Sequence, residues 1–317
     1  MNDASPRPVA GVLAGVWRPI RQLLRHRVYN EYIWAYLFLL PSALIFVAFL
    51  VYPTIQSFLY SFQSFSIFTV TPEFVGLSNY QTLLADPVWW AAVRNTLIYT
   101  LATVPFTVGV ALLIALLLSR FTPKLQTLFK TVFYMPGVTS AVVIGMIWLW
   151  IYYPFPEGLA NYLLSLVGLP SVVWLGNPRT AMPAIIFVSW MTGQGATIVL
   201  YMAALGNVPA SLYEAAEIDC ATSWVRFWRI TWPLIKPTTL YAALTATAGS
   251  FLIFDLVYTL TKGGPGTATI TMVYRIYTIA FERFQFGLAS AGAVLLAIIV
   301  IAANVIQFKY LSTDIEY

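Results

Sequence analysis

The sequence predicts an all-α membrane protein with six transmembrane helices, and three observations carry that reading. Of its 317 residues 60% are hydrophobic and only 9% charged, whereas a soluble domain carries about a quarter charged residues. Six stretches are each long enough to cross a bilayer, which takes roughly 20 mostly apolar residues. Lys and Arg also collect in alternate connections: twelve of the 17 fall on the side that holds both chain ends and five on the other. The positive-inside rule assigns the richer side to the cytoplasm.

Taken in order, residues 1–30 form a basic cytoplasmic segment containing Arg7, Arg18, Arg21, Arg25 and Arg27. It is not a cleaved signal peptide, because the apolar run that follows is long enough to span and no small-residue cleavage site follows it. Residues 31–60 hold the first span (33–51) and its extension, and 92–310 hold the other five, at about 96–118, 132–152, 183–205, 240–260 and 288–308. Residues 311–317 are a cytoplasmic tail. Only the fifth span contains an ionisable side chain, Asp255. Since a carboxylate at membrane depth is expensive, Asp255 either faces a cavity or reaches the nearby interface. The fourth span contains SWMTGQGAT (189–197), where Trp190, Thr192, Gln194 and Thr197 surround two glycines. That local loss of hydrophobicity suits a cavity wall or close helix packing.

The charge balance of +5 does not indicate a nucleic-acid partner, since the basic residues form no phosphate-tracking stripe. One cysteine, Cys220, and one histidine, His26 in the basic segment, leave no basis for an intrachain disulfide or a metal site.

The connection 206–237 is the most informative segment. Pro209 stops the fourth span, and Ser211 with Glu214 three residues on reads as a capping box that starts a short helix at Leu212. Ala215 and Ala216 favour helix and let a partner surface approach the backbone closely. Asp219 and Cys220 end this helix, and Thr222 or Ser223 caps a second running through Val225, Phe227, Trp228 and Ile230 toward Pro233. Glu217 is read as solvated. The expected helix–turn–helix suits docking into a groove of another protein. Acids without a base partner or metal site do not make an active site, so no catalytic residue is assigned.

EAAEIDCA followed by Phe227, Ile230 and Pro233 resembles the cytoplasmic signature of permease subunits of binding-protein-dependent ABC importers, with Cys220 standing where that family has glycine. Beyond the first thirty residues, PSALIFVAFLVYPTIQSFLYSF, FVGLSNY, RNTLIYT, FYMPGVTSAVVIGMIWLW and LTKGGPGTATITMVYRIYTIAF with FGLASA extend the resemblance, specifically to the carbohydrate branch with its maltose-type and glycerol-3-phosphate-type importers. The resemblance implies a type I importer permease fold in a bacterial or archaeal cytoplasmic membrane. It also implies a coupling helix, between the fourth and fifth spans, at which Glu214, Ala215, Ala216, Asp219, Cys220 and Ala221 contact an ATPase. The implied partners are a second homologous permease, two ATP- and Mg-binding ABC ATPase subunits, an extracytoplasmic solute-binding protein and a carbohydrate substrate. Trp190, Gln194, Ser250 and Asp255 are the implied substrate-path residues. The chain has no G-x-x-x-x-G-K-[ST] loop, so it is expected to be a transport subunit without an ATPase site of its own. The alternative from the residues is an ion-gradient-driven secondary transporter, a class that favours inverted repeats and more intramembrane carboxylates.

Overall fold

A computed structural model describes residues 32–68 and 71–311. The basic segment 1–30 and the tail, apart from residue 311, lie outside the described residues. The chain divides into two compact units, 1–57 and 58–317. Among the described residues four helices are long and apolar enough to cross a membrane, and counting each of two bent helix pairs as one span gives six.

Helix α1 (Tyr32–Tyr60) is apolar throughout, and none of its most hydrophobic window is buried within the chain. It passes Pro53 by way of a π-helical turn, Val47–Val51, closed by the Tyr52 N–H on the Val47 carbonyl. Pro53 has no N–H to offer four residues back, and the wider turn carries the helix past that gap. A two-stranded antiparallel pairing, β1 (Gln63–Ser64) with β2 (Glu73–Phe74), joins α1 to the short helix α2 (Ser78–Ala85). Helix α3 (Pro87–Leu118) is 32 residues long and starts well before the apolar run at 96. Asp86 caps it, accepting from the Val88 N–H at 2.9 Å, and Pro87 supplies a preset φ at the first position.

The third span departs from expectation. In place of one helix over 132–152 there are two, α4 (Pro123–Val138) and α5 (Ala141–Ile151), bent by 94°. Pro136 inside α4 lacks the N–H that the Val132 carbonyl needs, Gly137 follows it, and Thr139 and Ser140 take extended conformations. A short helix, α6 (Leu159–Leu166), follows. The fourth span is α7 (Ala181–Thr192) and α8 (Gly195–Gly206), bent by 42° at the GQG sequence. A Cβ on Gly195 would lie 2.6 Å from Tyr134 Cα and closer still to the Phe133 carbonyl oxygen, so only glycine lets α8 approach α4 this closely.

After α9 (Ala210–Ile218) the chain turns into α10 (Ser223–Arg226), a π-helical turn (Phe227–Thr231) and α11 (Trp232–Phe251). The second loop helix thus does not stop at Pro233. The π turn, closed by the Trp232 N–H on the Phe227 carbonyl, carries it into the fifth span, as the matching turn does before Pro53. The expected span 240–260 is interrupted at Leu252–Phe254 before α12 (Asp255–Leu260). The Ile253 carbonyl freed there accepts from the Thr271 hydroxyl at 3.1 Å, which is how broken backbone is tolerated inside a membrane protein. Helix α13 (Met272–Tyr277), a third π turn (Thr278–Glu282) and α14 (Phe286–Leu311) complete the fold.

Within the second unit two apolar clusters lie along α3. One gathers Trp89, Tyr99, Ile185, Val188, Phe251 and Met272; the other gathers Ala111, Ala115, Ile198, Tyr201, Ile235 and Ala242, where alanines allow close helix approach. The first half of α3 also buries Asn95, Thr96, Thr100 and Thr103. Asn95 Nδ2 donates to the Thr267 and Ile270 carbonyls, and Thr96 Oγ1 accepts from the Met272 N–H. The TKGGPGT loop is therefore held from α3.

Candidate functional site

The 206–237 loop forms the expected helix, turn and helix, but its start differs from the capping-box reading. Helix α9 begins at Ala210 directly after Pro209, so Ser211 is already inside it and its hydroxyl caps nothing. Ser211, Glu214, Ala215 and Ile218 recur at helical spacing on one exposed stripe, with Ile218 84% exposed, while Ala216 is buried on the opposite face. Glu214 has no side-chain partner among the described residues.

The end of α9 is a Schellman motif. The Cys220 N–H donates to the Glu217 carbonyl at 3.0 Å and the Ala221 N–H to the Ala216 carbonyl at 2.9 Å. Cys220 sits at the left-handed position of that motif with φ 53°. Asp219 is the last half-helical residue, exposed, and Ala221 is half-buried. Thr222 then caps α10, accepting from the Val225 N–H at 3.4 Å. Two side-chain ties fix the angle between the helices. Glu217 is not merely solvated, since its Oε1 accepts from Arg226 at 2.7 Å, and the hydroxyls of Tyr213 and Thr231 share a hydrogen bond of 2.9 Å. The Glu217–Arg226 pair was legible only as opposite charges flanking the turn. Trp224, Trp228 and Trp232 continue the loop as an edge-to-face aromatic ladder, Trp224 being 71% exposed.

The four substrate-path residues are not gathered at one point. Trp190 stacks on Phe106 with ring centroids 4.2 Å apart, and its indole N–H donates to the Ala102 carbonyl. Ser250 is buried, its hydroxyl lying 2.8 Å from the Thr247 carbonyl and 3.0 Å from Thr100 Oγ1, which share its single proton. Both fasten their helices to α3. Gln194, at the α7–α8 bend, is buried; its Nε2 donates to the Trp190 carbonyl, and its Oε1 has no partner among the described residues. Asp255 is exposed at the first residue of α12, where the helix dipole favours a carboxylate. Sequence reasoning missed a further polar element, the ion pair of Arg275 with Asp86 at 2.6 Å, which ties α13 to the start of α3. No three histidine, cysteine or carboxylate side chains gather to ligate a metal among the described residues.

Residues 108–311 match the family described as the binding-protein-dependent transport system inner membrane component. The probable ABC transporter permease protein YurN of Bacillus subtilis is 36% identical over 284 residues, 89% of this chain and 97% of that one. The arabinooligosaccharides transport system permease protein AraP of the same organism is 33% identical over 96% of this chain and 94% of its own. The sn-glycerol-3-phosphate transport system permease protein UgpA of Brucella abortus is 32% identical over 89% of this chain and 96% of its own. Among solved structures, a chain of a bacterial alginate ABC transporter, in complex with an alginate pentasaccharide-bound periplasmic protein, superposes with a TM-score of 0.77 at 23% identity, covering 89% of this chain and 94% of that one.

Proposed function

Because the chain belongs to the binding-protein-dependent transport system inner membrane component family, we propose that it is the permease subunit of an ATP-driven importer, carrying a sugar or related polyol or glycosyl compound inward by alternating access. The observation that carries the coupling mechanism is the exposed stripe of α9. A short helix closed at its C-terminal end by a Schellman turn, presenting Glu214, Ala215 and Ile218 outward while Ala216 anchors it from behind, has the form of a ready docking element. In this reading Glu214, Ala215 and the turn at Asp219, Cys220 and Ala221 seat against an ATPase subunit. Closure of two such subunits, each holding ATP and Mg, then moves this permease and a second one together. The loop, and with it both termini, faces the cytoplasm, and a solute-binding protein delivers substrate from outside.

The carbohydrate assignment is supported by relatives named for arabinooligosaccharides and sn-glycerol-3-phosphate. Of the substrate-path residues, Asp255 and Gln194 are the direct-contact candidates, since one is exposed and the other has an unsatisfied amide oxygen. Trp190 and Ser250, whose polar groups are already bonded, shape the path. Glu214→Lys places a like-for-unlike charge at the docking stripe and is expected to leave ATP hydrolysis uncoupled from uptake; uptake at the wild-type rate overturns the docking assignment. Co-purification with an ATPase and a second permease is expected, whereas transport by this chain alone in liposomes would establish the ion-driven alternative.

A further inference from the structure

We propose that the cavity between the end of α3 and the 206–237 loop binds one anionic phospholipid. The cavity holds about 880 Å³, within the range of roughly 300–1,000 Å³ that small-molecule sites occupy. One wall is apolar, formed by Leu113, Leu116 and Leu117 on the last turns of α3. Leu113 and Leu117 are 57% and 51% exposed, so the fold itself leaves this wall uncovered. The rim is cationic, with Arg120 just past the helix end and Arg226 on α10. Arg226 gives one of its guanidinium donors to Glu217, itself largely exposed. Arg120 is exposed and has no side-chain partner among the described residues. Exposed Trp224 lines the same cavity, and tryptophan favours the headgroup level of a bilayer.

These features select the ligand by chemistry. A soluble anion satisfies the arginines and leaves the leucines bare, and an uncharged hydrocarbon does the reverse. One molecule with an acyl chain and a phosphate does both, and it is available wherever a membrane span ends. The chain runs along Leu113, Leu116 and Leu117, and the phosphate bridges Arg120 and Arg226. Bound this way, the lipid ties the end of α3 to the same guanidinium that holds the turn after α9.

The test is lipid retention by the full-length chain purified with its co-purifying subunits, stripped with detergent, re-supplied with phosphatidylglycerol or phosphatidylcholine, and read by native mass spectrometry. Phosphatidylglycerol is expected to be retained in preference. Arg120→Gln is expected to reduce its retention about fivefold, as one juxtamembrane cation contributes, and Arg120→Lys to preserve most of it. Leu113→Trp, which fills the acyl wall and leaves both arginines in place, is expected to lower retention as well. Equal retention of the two lipids, no loss on Arg120→Gln, no bound lipid at all, or displacement by inorganic phosphate would each overturn the assignment. The readout is independent of uptake, so it separates this site from the transport function.

Discussion

Cys220 holds φ 53° at the close of α9, a conformation that costs an L-residue with a Cβ roughly 1 kcal/mol relative to glycine. The two Schellman hydrogen bonds pin it there. Cys220→Gly is therefore expected to stabilise the turn by about 1 kcal/mol while leaving transport intact. Hydrogen exchange of the 216–221 amides should slow accordingly, and faster exchange would show that the cysteine contributes an interaction glycine lacks. This position was legible in the sequence, because the residue ending a short capped helix must often turn left-handed. The capping box read from Ser211 and Glu214 does not form, because Pro209 starts the helix early enough to place Ser211 within it.

At the scale of elements, the spans were legible from length and hydropathy, but their interruptions were legible only in part. The polar break SWMTGQGAT, read as a cavity wall or a place of close packing, is where α7 and α8 bend by 42°. The sharper bend between α4 and α5 lies in a run apolar on both sides, and only Pro136–Gly137 marked it. The break before Asp255 had no local marker, since it is stabilised by Thr271, 18 residues further on. Glycine placement offers a direct check. Gly195→Ala pushes a methyl group into the backbone of α4 and is expected to cost about 1–3 kcal/mol, the usual range for overpacking. Gly109→Ala on α3, which meets nothing within 4 Å, should leave stability unchanged or slightly raised. Thermal unfolding of the two variants in detergent distinguishes them, and equal melting would show that the α4–α8 approach is not tight. Where Trp190 and Ser250 would sit was not legible, because their hydrogen bonds to α3 join residues far apart in sequence.

Across the whole molecule the same α3 organises the second unit, through Asn95, Thr96 and Thr100 and, at its start, through Asp86. The Arg275–Asp86 pair joins segments 189 residues apart with Arg275 only 6% exposed. Arg275→Met leaves the half-buried Asp86 carboxylate with only its Val88 N–H and is expected to destabilise the fold by about 1–3 kcal/mol, below the range for breaking a fully buried pair. A melting temperature within error of wild type would show that Asp86 is satisfied by its cap alone. A mechanical consequence follows from the continuity of α10, the π turn and α11. Twenty residues of α11 make a rod about 30 Å long, joined through α10 and the π turn to the turn after α9 at one end and ending at the irregular joint before Asp255 at the other. If the proposed docking imposes a rotation on that turn, α11, with Pro237 early in its length, is the lever that carries it toward the joint before Asp255, so leverage and bending stiffness set the displacement there.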